Sequence, residues 1–473
     1  MTTAVIVGSG PNGLAAAIHL ARNGIEVQVL EAADTIGGGL RSSELTAPGL
    51  IHDHCSAIHP MGVASPFFAS IDIEGFGLEW LWPDIDCAHP LDSGSAALLH
   101  RSIDETASGL GDDGRRWLGL LRGMVDGYEG LSSDLMQPIV HVPRHPLKLA
   151  SFGPRALAPA TVAAKLFRTD KGRALFGGLA AHVYSRLDRP ASAAVGLMIA
   201  ASGHRHGWAV AKGGSQSIAD ALVAVLSSHG GNVETGVRVR SAADIPDADI
   251  VVLDVSPDAV LDIYGERVPR RIARSYRKFR RGPAAYKVDF AIDGTVPWLD
   301  PECGRAGTVH LGGSFAEIAA AEKDVTLGRM PERPFVLVGQ QYAADPSRSA
   351  GGLNPLYSYA HVPQGFSGDA TEAVIAQFER FAPGFRERIV ESVSIGPAQL
   401  AAANPNNVGG DIIGGANAGL QVVLRPRIAV DPYSVGIPGV FMCSSSTPPG
   451  AGVHGMPGYN AAESALRQLR KRK

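Results

Sequence analysis

The sequence predicts an α/β protein: a parallel sheet covered by helices, joined to a second, mixed α+β region with an antiparallel sheet and helices. Three observations carry this. The chain opens with a strand, a glycine turn, a helix and a second strand within 31 residues. A short run of buried-strand type recurs far along the chain at 250–253 (IVVL), so the first sheet is discontinuous in sequence. Longer strand-like runs stand apart at 284–292 (AAYKVDFAI) and 335–342, among segments with helical patterning.

The elements follow in order. Ala4–Val7 (AVIV) is a β-branched apolar run suited to a parallel strand buried on both faces. In LAAAIHLARNG small and apolar residues suit a helix packed on a sheet; Pro11 fits its first turn and Gly24 closes it. Glu26–Leu30 is the next strand, ending at Glu31. Asp112–Tyr128 reads as helix, and Pro143–Ser202 as helices broken by proline. Ser217–His229 is a helix opened by serine, followed by a glycine turn and a strand. Near the end, residues 432–462 contain no Asp, Glu, Lys or Arg, where a 19% charged average predicts about six. Their Gly, Pro and Ser content forbids a membrane span and suits a loop wrapped around a buried ligand.

Length and charge narrow the function. At roughly 100–200 residues per domain, 473 residues make two or three domains. With 43 basic and 46 acidic side chains the net charge is −3, without the basic excess of a nucleic-acid binder. Cys55, Cys87, Cys303 and Cys443 are too far apart for a zinc knuckle. No basic, apolar leader opens the chain, and no run of about 18 apolar residues occurs. A cytoplasmic protein is the expectation.

Gly8-x-Gly10-x-x-Gly13 stands between the first strand and helix. The first glycine permits the tight turn, the second lets backbone approach a pyrophosphate, and the third allows close helix–strand packing. The helix N-terminus offers N–H groups and a positive dipole to that phosphate. Glu31, 18 residues after Gly13, is placed to accept hydrogen bonds from ribose hydroxyls. Two further matches differ. Gly109-x-Gly111-x-x-Gly114 has no strand before it and two aspartates inside, so it reads as a loop capping a helix. Gly450-x-Gly452-x-x-Gly455 follows the strand 440–443 and precedes a helix at 460–467, aimed at a second part of the same ligand. One dinucleotide is expected, and a design using both NAD(P)H and a flavin is disfavoured.

With Gly37-Gly38-Gly39 after Glu31, GWAVAKGGSQSIADAL at 207–222 and GVFMCSSSTPPGAGVHGMPG at 439–458, the chain resembles the flavin-dependent phytoene desaturase and amine oxidase superfamily, the phytoene-dehydrogenase-like branch above all. The likeness implies a Rossmann-like FAD-binding domain from 1–70, 205–265 and 425–473, with a substrate domain from 71–204 and 266–424. It implies non-covalent FAD, held by Gly8, Ser9, Gly10, Pro11, Asn12, Gly13, Glu31, Ala32 and Gly37–Gly39. By the same likeness Val239 gives a backbone contact to adenine, and Gly455 and Met456 start a helix facing the flavin pyrimidine edge. Two positions depart from the pattern. Ser444-Ser445-Ser446 replaces an acidic residue, leaving Ser445 and Ser446 to bond ribityl or phosphate oxygens. Gly39 replaces an arginine or alanine, a role Arg41 is placed to take.

Lys287 resembles the lysine that holds a water near the flavin in amine oxidases; the alternative is a solvent-facing lysine sharing a strand face with Asp289. His454 is a candidate proton acceptor, with a scaffold histidine as the alternative, and His59 and Tyr459 are candidate substrate contacts. His52, Asp53, His54, Cys55 and His59 are dense in possible ligands, yet their spacing is not that of a metal site, and none is assigned.

The expected chemistry is hydride removal from a C–C or C–N bond of a lipophilic or amphipathic small molecule, with O₂ or a quinone as acceptor. The alternatives are an amine oxidase using O₂, a flavin-dependent isomerase or saturase, and a flavin-binding protein without turnover. The basic segment 268–282 and the terminal LRQLRKRK read as a solvated face or as a peripheral membrane contact.

Overall fold

The computed structural model describes residues 2–138 and 140–472. Lys473, the last of the basic residues read at the terminus, lies outside them. Two sheets dominate. The first has five parallel strands in the order Val440–Met442, Ile250–Leu253, Thr3–Val7, Glu26–Leu30, Asn232–Glu234. The register aligns their C-terminal ends: Val7 stands beside Leu30 and Leu253, and Leu253 beside Met442. The residues that follow, Gly8, Glu31, Asp254 and Cys443, therefore emerge at one level, where open parallel sheets bind ligands.

The second sheet has seven strands, in the order Ile389–Ile395, Ala284–Asp293, Leu353–Val362, Val336–Gly339, Ala306–Leu311, Ile85–Pro90, Ala96–Leu99. It is mixed rather than purely antiparallel, because Ala306–Leu311 pairs parallel with Ile85–Pro90. A block of helices between 103 and 206 packs Trp117, Phe167, Phe176 and Leu197 into a core shared with this sheet through Cys87, Leu99 and Phe335.

Several elements differ from the sequence reading. The run 335–342 is a strand only over Val336–Gly339; Gln340 leaves the ladder to bond the Cys303 and Ala306 carbonyls, and Gln341–Ala343 forms a helical turn. The last helix begins at Met456, four residues early, since Pro457 is accepted within a first turn. It packs so closely on the helix Pro11–Arg22 that a Cβ on Gly458 would lie 1.8 Å from the Asn12 carbonyl oxygen. In the second glycine motif, Gly114 opens the helix Gly114–Asp126. The basic segment forms the helix Arg270–Arg277, with Ala273 and Tyr276 buried and Arg270, Arg271, Arg274 and Arg277 exposed. Among the described residues no helix is long and apolar enough to cross a membrane.

A buried charged cluster ties together segments that lie outside the two large sheets. Arg348, fully buried, donates to Asp53 at 2.6 Å, to Asp345 at 3.2 Å and to the Ala211 carbonyl at 2.7 Å. The guanidinium's several donors meet carboxylates and a carbonyl at once, which is what makes a buried arginine tolerable.

Candidate functional site

A cavity of about 680 Å³ runs from the C-terminal ends of the parallel strands to the face of the seven-stranded sheet, within the size range of small-molecule sites. Its first end is built from backbone. Gly8 at φ +102° turns the chain, and Gly10 begins the helix without a side-chain cap. A Cβ on Gly10 would lie 2.6 Å from Asp254 Oδ2, and one on Gly38 3.2 Å from the Gly10 Cα. Side chains there would fill the space a diphosphate needs. Gly8, Gly10, Pro11 and Asn12 line this end, as do Gly38 and Gly39. Asn12 Oδ1 is buried without a hydrogen-bond partner.

Glu31, Ala32, Arg41, Val239 and Ser445 also line the cavity. The Glu31 carboxylate is already fixed: Oε2 accepts from Ser9 N at 2.9 Å and Ser9 Oγ at 2.6 Å, and Oε1 from Ala33 N at 2.9 Å and Arg41 Nη2 at 3.2 Å. Val239 lies beside Arg238 and Arg240 on the wall. The glycine cradle, the unpartnered Asn12 oxygen and the oriented acid fit a dinucleotide such as FAD.

Other residues expected to touch the cofactor stand behind the wall. Ser9 turns its hydroxyl to Glu31 and Gly37 N. Gly13 gives its N–H to Asp254 Oδ2 at 2.9 Å and sits where a Cβ would lie 2.0 Å from the Gly8 carbonyl, so its task is packing. Ser446 donates to the Gly414 carbonyl at 2.8 Å. Gly455 packs against Ala15 and Phe67, and the Met456 N–H donates to His454 Nδ1 at 3.2 Å. The start of the last helix is thus not presented to the cavity. Ala451, Gly452 and Val453 line it instead.

The catalytic candidates are corrected in the same way. Lys287 and Asp289 share a strand face, as alternation demands, but the face is buried and the two form an ion pair. Lys287 is neither solvent-facing nor on the cavity wall; its Nζ lies 4.4 Å from the ring centre of Tyr357, which does line the cavity. His454 is buried as a cap for Met456, and burial lowers its pKa to about 4. Tyr459 rests on His19 and Phe67 between two helices, away from the cavity. His59 does line it, held by a 2.9 Å bond between Nε2 and Ser215 Oγ, with its pKa lowered to about 4 by burial. The neighbouring ligand-like residues are engaged one by one: His52 with Thr46, Asp53 with Arg348, His54 with Ser43. Among the described residues no group of three or more His, Cys, Asp or Glu is arranged to hold a metal.

The structure adds residues that sequence reasoning passed over. Asp254 lines the cavity beside the glycine turn, and burial pushes its pKa up to about 7. The signal was present, since it follows IVVL as Glu31 follows EVQVL. Asn406 accepts from Ser256 N and donates to the Asp254 carbonyl, closing that end. At the far end stand His182, Tyr184, Trp208, Thr308, Tyr357 and Tyr359. Nothing in their spacing marks them, because they come from two helices' ends and two strands.

Residues 6–71 match the NAD(P)-binding Rossmann-like domain. The whole chain is similar to hydroxyneurosporene desaturase of Cereibacter sphaeroides, 25% identical over 99% of this chain and 98% of that protein. It is also similar to pyridine nucleotide-disulfide oxidoreductase domain-containing protein 2 of Rattus norvegicus, 20% identical over 99% of this chain and 94% of that one. The fold is that of cyclohexylamine oxidase from Brevibacterium oxydans, with a TM-score of 0.62, 16% identity and full coverage of both chains. Along nearly its whole length the chain thus resembles a desaturase in sequence and an amine oxidase in fold.

Proposed function

We propose, from this resemblance and the two-ended cavity, that the chain is an FAD-dependent oxidoreductase. It removes a hydride from a C–C or C–N bond of a lipophilic or amphipathic small molecule. The observation that carries the reading is one continuous space with a glycine cradle at one end and an apolar, aromatic wall at the other. FAD, when bound, supplies the hydride acceptor. The protein supplies the rest. The turn at Gly8–Gly10 and the helix start receive the diphosphate, and Glu31, held by Ser9 and Arg41, meets the ribose. At the other end Ile58, Val195, Ile199 and Trp208 exclude water, while His59 and Tyr359 orient the reacting molecule. Cys55 lines the cavity, but burial pushes its thiol pKa up to about 11, so it stays protonated and unreactive, which favours non-covalent FAD.

A second reading, an amine oxidase using O₂, is favoured by one feature: Tyr184, Tyr357 and Tyr359 set three phenol rings on the cavity wall, and aromatic rings attract a cation. Anaerobic reduction of the purified protein, then mixing with air, tests both. Loss of the flavin spectrum on reduction and its slow return supports a dehydrogenase passing electrons to a quinone. Rapid return supports the oxidase. A protein purified and reconstituted without any flavin signal refutes both. For the helix Arg270–Arg277, flotation with anionic vesicles at low salt tests membrane contact, and a chain that stays behind sheds that role.

A further inference from the structure

The far end of the cavity holds two buried hydroxyl groups without a hydrogen bond of ordinary geometry, Tyr184 Oη having the Tyr359 phenol nearby. They are Tyr184 Oη and Thr308 Oγ1, whose residues are only 2% and 1% exposed and both line the cavity. Buried groups of this kind are rarely left unsatisfied, and on a cavity wall it is a ligand or a water that completes them. Tyr184 also carries backbone strain, at φ +51°, a left-handed conformation that a bulky residue seldom adopts and that clusters at functional sites. Its phenol is pushed well up by burial, with Tyr359 and Tyr357 beside it, so it remains a donor.

Thr308 and His310 lie on the same face of the strand Ala306–Leu311. His310 Nε2 meets His182 Nε2 at 3.0 Å, and His310 Nδ1 lies 3.5 Å from Cys87 Sγ. His182 lines the cavity beside Tyr184, braced by Trp208 at a ring separation of 5.9 Å. Burial lowers the pKa of His182 to about 3 and that of His310 well below its ordinary value, so the pair is uncharged at neutral pH. The charged residues of the cavity wall, Glu31, Arg41, Arg238, Arg240, Asp254 and Asp262, all come from segments around the five-stranded sheet. The far end has neither a carboxylate for an ammonium nor a cation for a carboxylate, and an unpaired buried charge is costly.

We propose that Tyr184, Thr308 and His182 form a neutral hydrogen-bonding subsite that takes an uncharged oxygen, a hydroxyl or carbonyl, on an otherwise apolar substrate. Two hydroxyls that donate or accept and one imidazole match such an oxygen, and Ile58, Ile199 and Leu337 take the hydrocarbon. The assignment of this end to substrate rests on the flavin reading above. It narrows that reading: the substrate is an apolar alcohol or ketone rather than an amine.

Calorimetric titration of the flavin-loaded protein with one skeleton in four forms tests this: 4-phenylcyclohexanol, 4-phenylcyclohexanone, 4-phenylcyclohexylamine and 4-phenylcyclohexanecarboxylate. The alcohol or ketone is expected to bind roughly tenfold or more tightly than either ion. Tyr184→Phe and Thr308→Val are each expected to weaken the alcohol by roughly fivefold without changing the ammonium, while Thr308→Ser binds it as the parent does. Flavin content and melting temperature identify any variant that misfolds. Equal or tighter binding of an ion overturns the subsite, as does alcohol affinity unchanged in both hydroxyl-deleting variants, or failure of all four probes to bind. Selective alcohol binding by a chain that holds no flavin supports the subsite and overturns the cofactor assignment instead.

Discussion

The two ends of the cavity recognise their ligands by different means. At the first, backbone forms the cradle: the turn at Gly8–Gly10, the close approach of Gly38 to Gly10, the start of the helix Pro11–Arg22, with Asn12 and Glu31 adding side-chain acceptors. Within the cradle itself side chains are absent by requirement. At the second, the polar groups are side chains gathered from several segments: His59 from the stretch before 60, His182 and Tyr184 from one strained turn, Thr308 from one strand and Tyr357 and Tyr359 from another. A backbone site is compact in sequence because a turn is local. A side-chain site is dispersed because a sheet brings remote positions together. The first end is therefore the more easily broken by adding atoms, and the second by removing them.

Gly13→Ala is the sharpest way to break the first end. Its Cβ would lie 2.0 Å from the Gly8 carbonyl, between two backbone segments that cannot yield. A loss of about 3 kcal/mol or more in stability and loss of the bound flavin are expected. Thermal unfolding and flavin per chain measure these, and a variant that keeps both would show that the cradle is looser than its geometry.

Lys287→Met probes what supports the second end. Removing the ammonium strands the buried Asp289 carboxylate behind Tyr357, and breaking such a pair costs about 3–5 kcal/mol. The double change Lys287→Met with Asp289→Leu is expected to recover most of that in denaturant unfolding. Full stability in the single variant, with altered flavin reoxidation, would return Lys287 to the chemistry.

Asp254→Asn distinguishes charge from packing at the first end. Because burial raises the folded pKa to about 7 from an ordinary 3.8, the folded state holds a proton that the unfolded state has lost between those values. Stability contributed by this group therefore falls as pH rises from about 4 to 7 and is level above. The asparagine variant is expected to lose that slope in unfolding midpoints measured across the window, while keeping the acceptor for Gly13 N–H.

Legibility follows the same division. The strands Ala4–Val7 and Ile250–Leu253 were readable because parallel strands buried on both faces are continuous apolar runs, and Glu26–Leu30 because it follows the glycine turn and helix. The glycine turn was readable because its function restricts the residue type. The uncharged stretch 432–462 pointed to ligand, and Ser445, Ala451, Gly452 and Val453 do line the cavity. His454 and Tyr459 share that stretch yet face inward elsewhere, since composition marks a segment and not the direction of each side chain. Lys287 shows the limit most clearly: alternation placed it with Asp289 on one face, but whether that face met water, cavity or core depended on Tyr357 and on strands more than sixty residues away.

The sequence by itself determined the α/β class, the dinucleotide turn and the acid at the end of the second strand, all consequences of interactions within some thirty residues. Only the tertiary structure decided which of the polar residues face the cavity. It set Asp254 beside Gly13, hid Lys287, and brought His182, Tyr184 and Thr308 to one wall. Those outcomes depend on the stacking of a helical block on a seven-stranded sheet, and a packing of remote surfaces leaves no periodic trace in the chain.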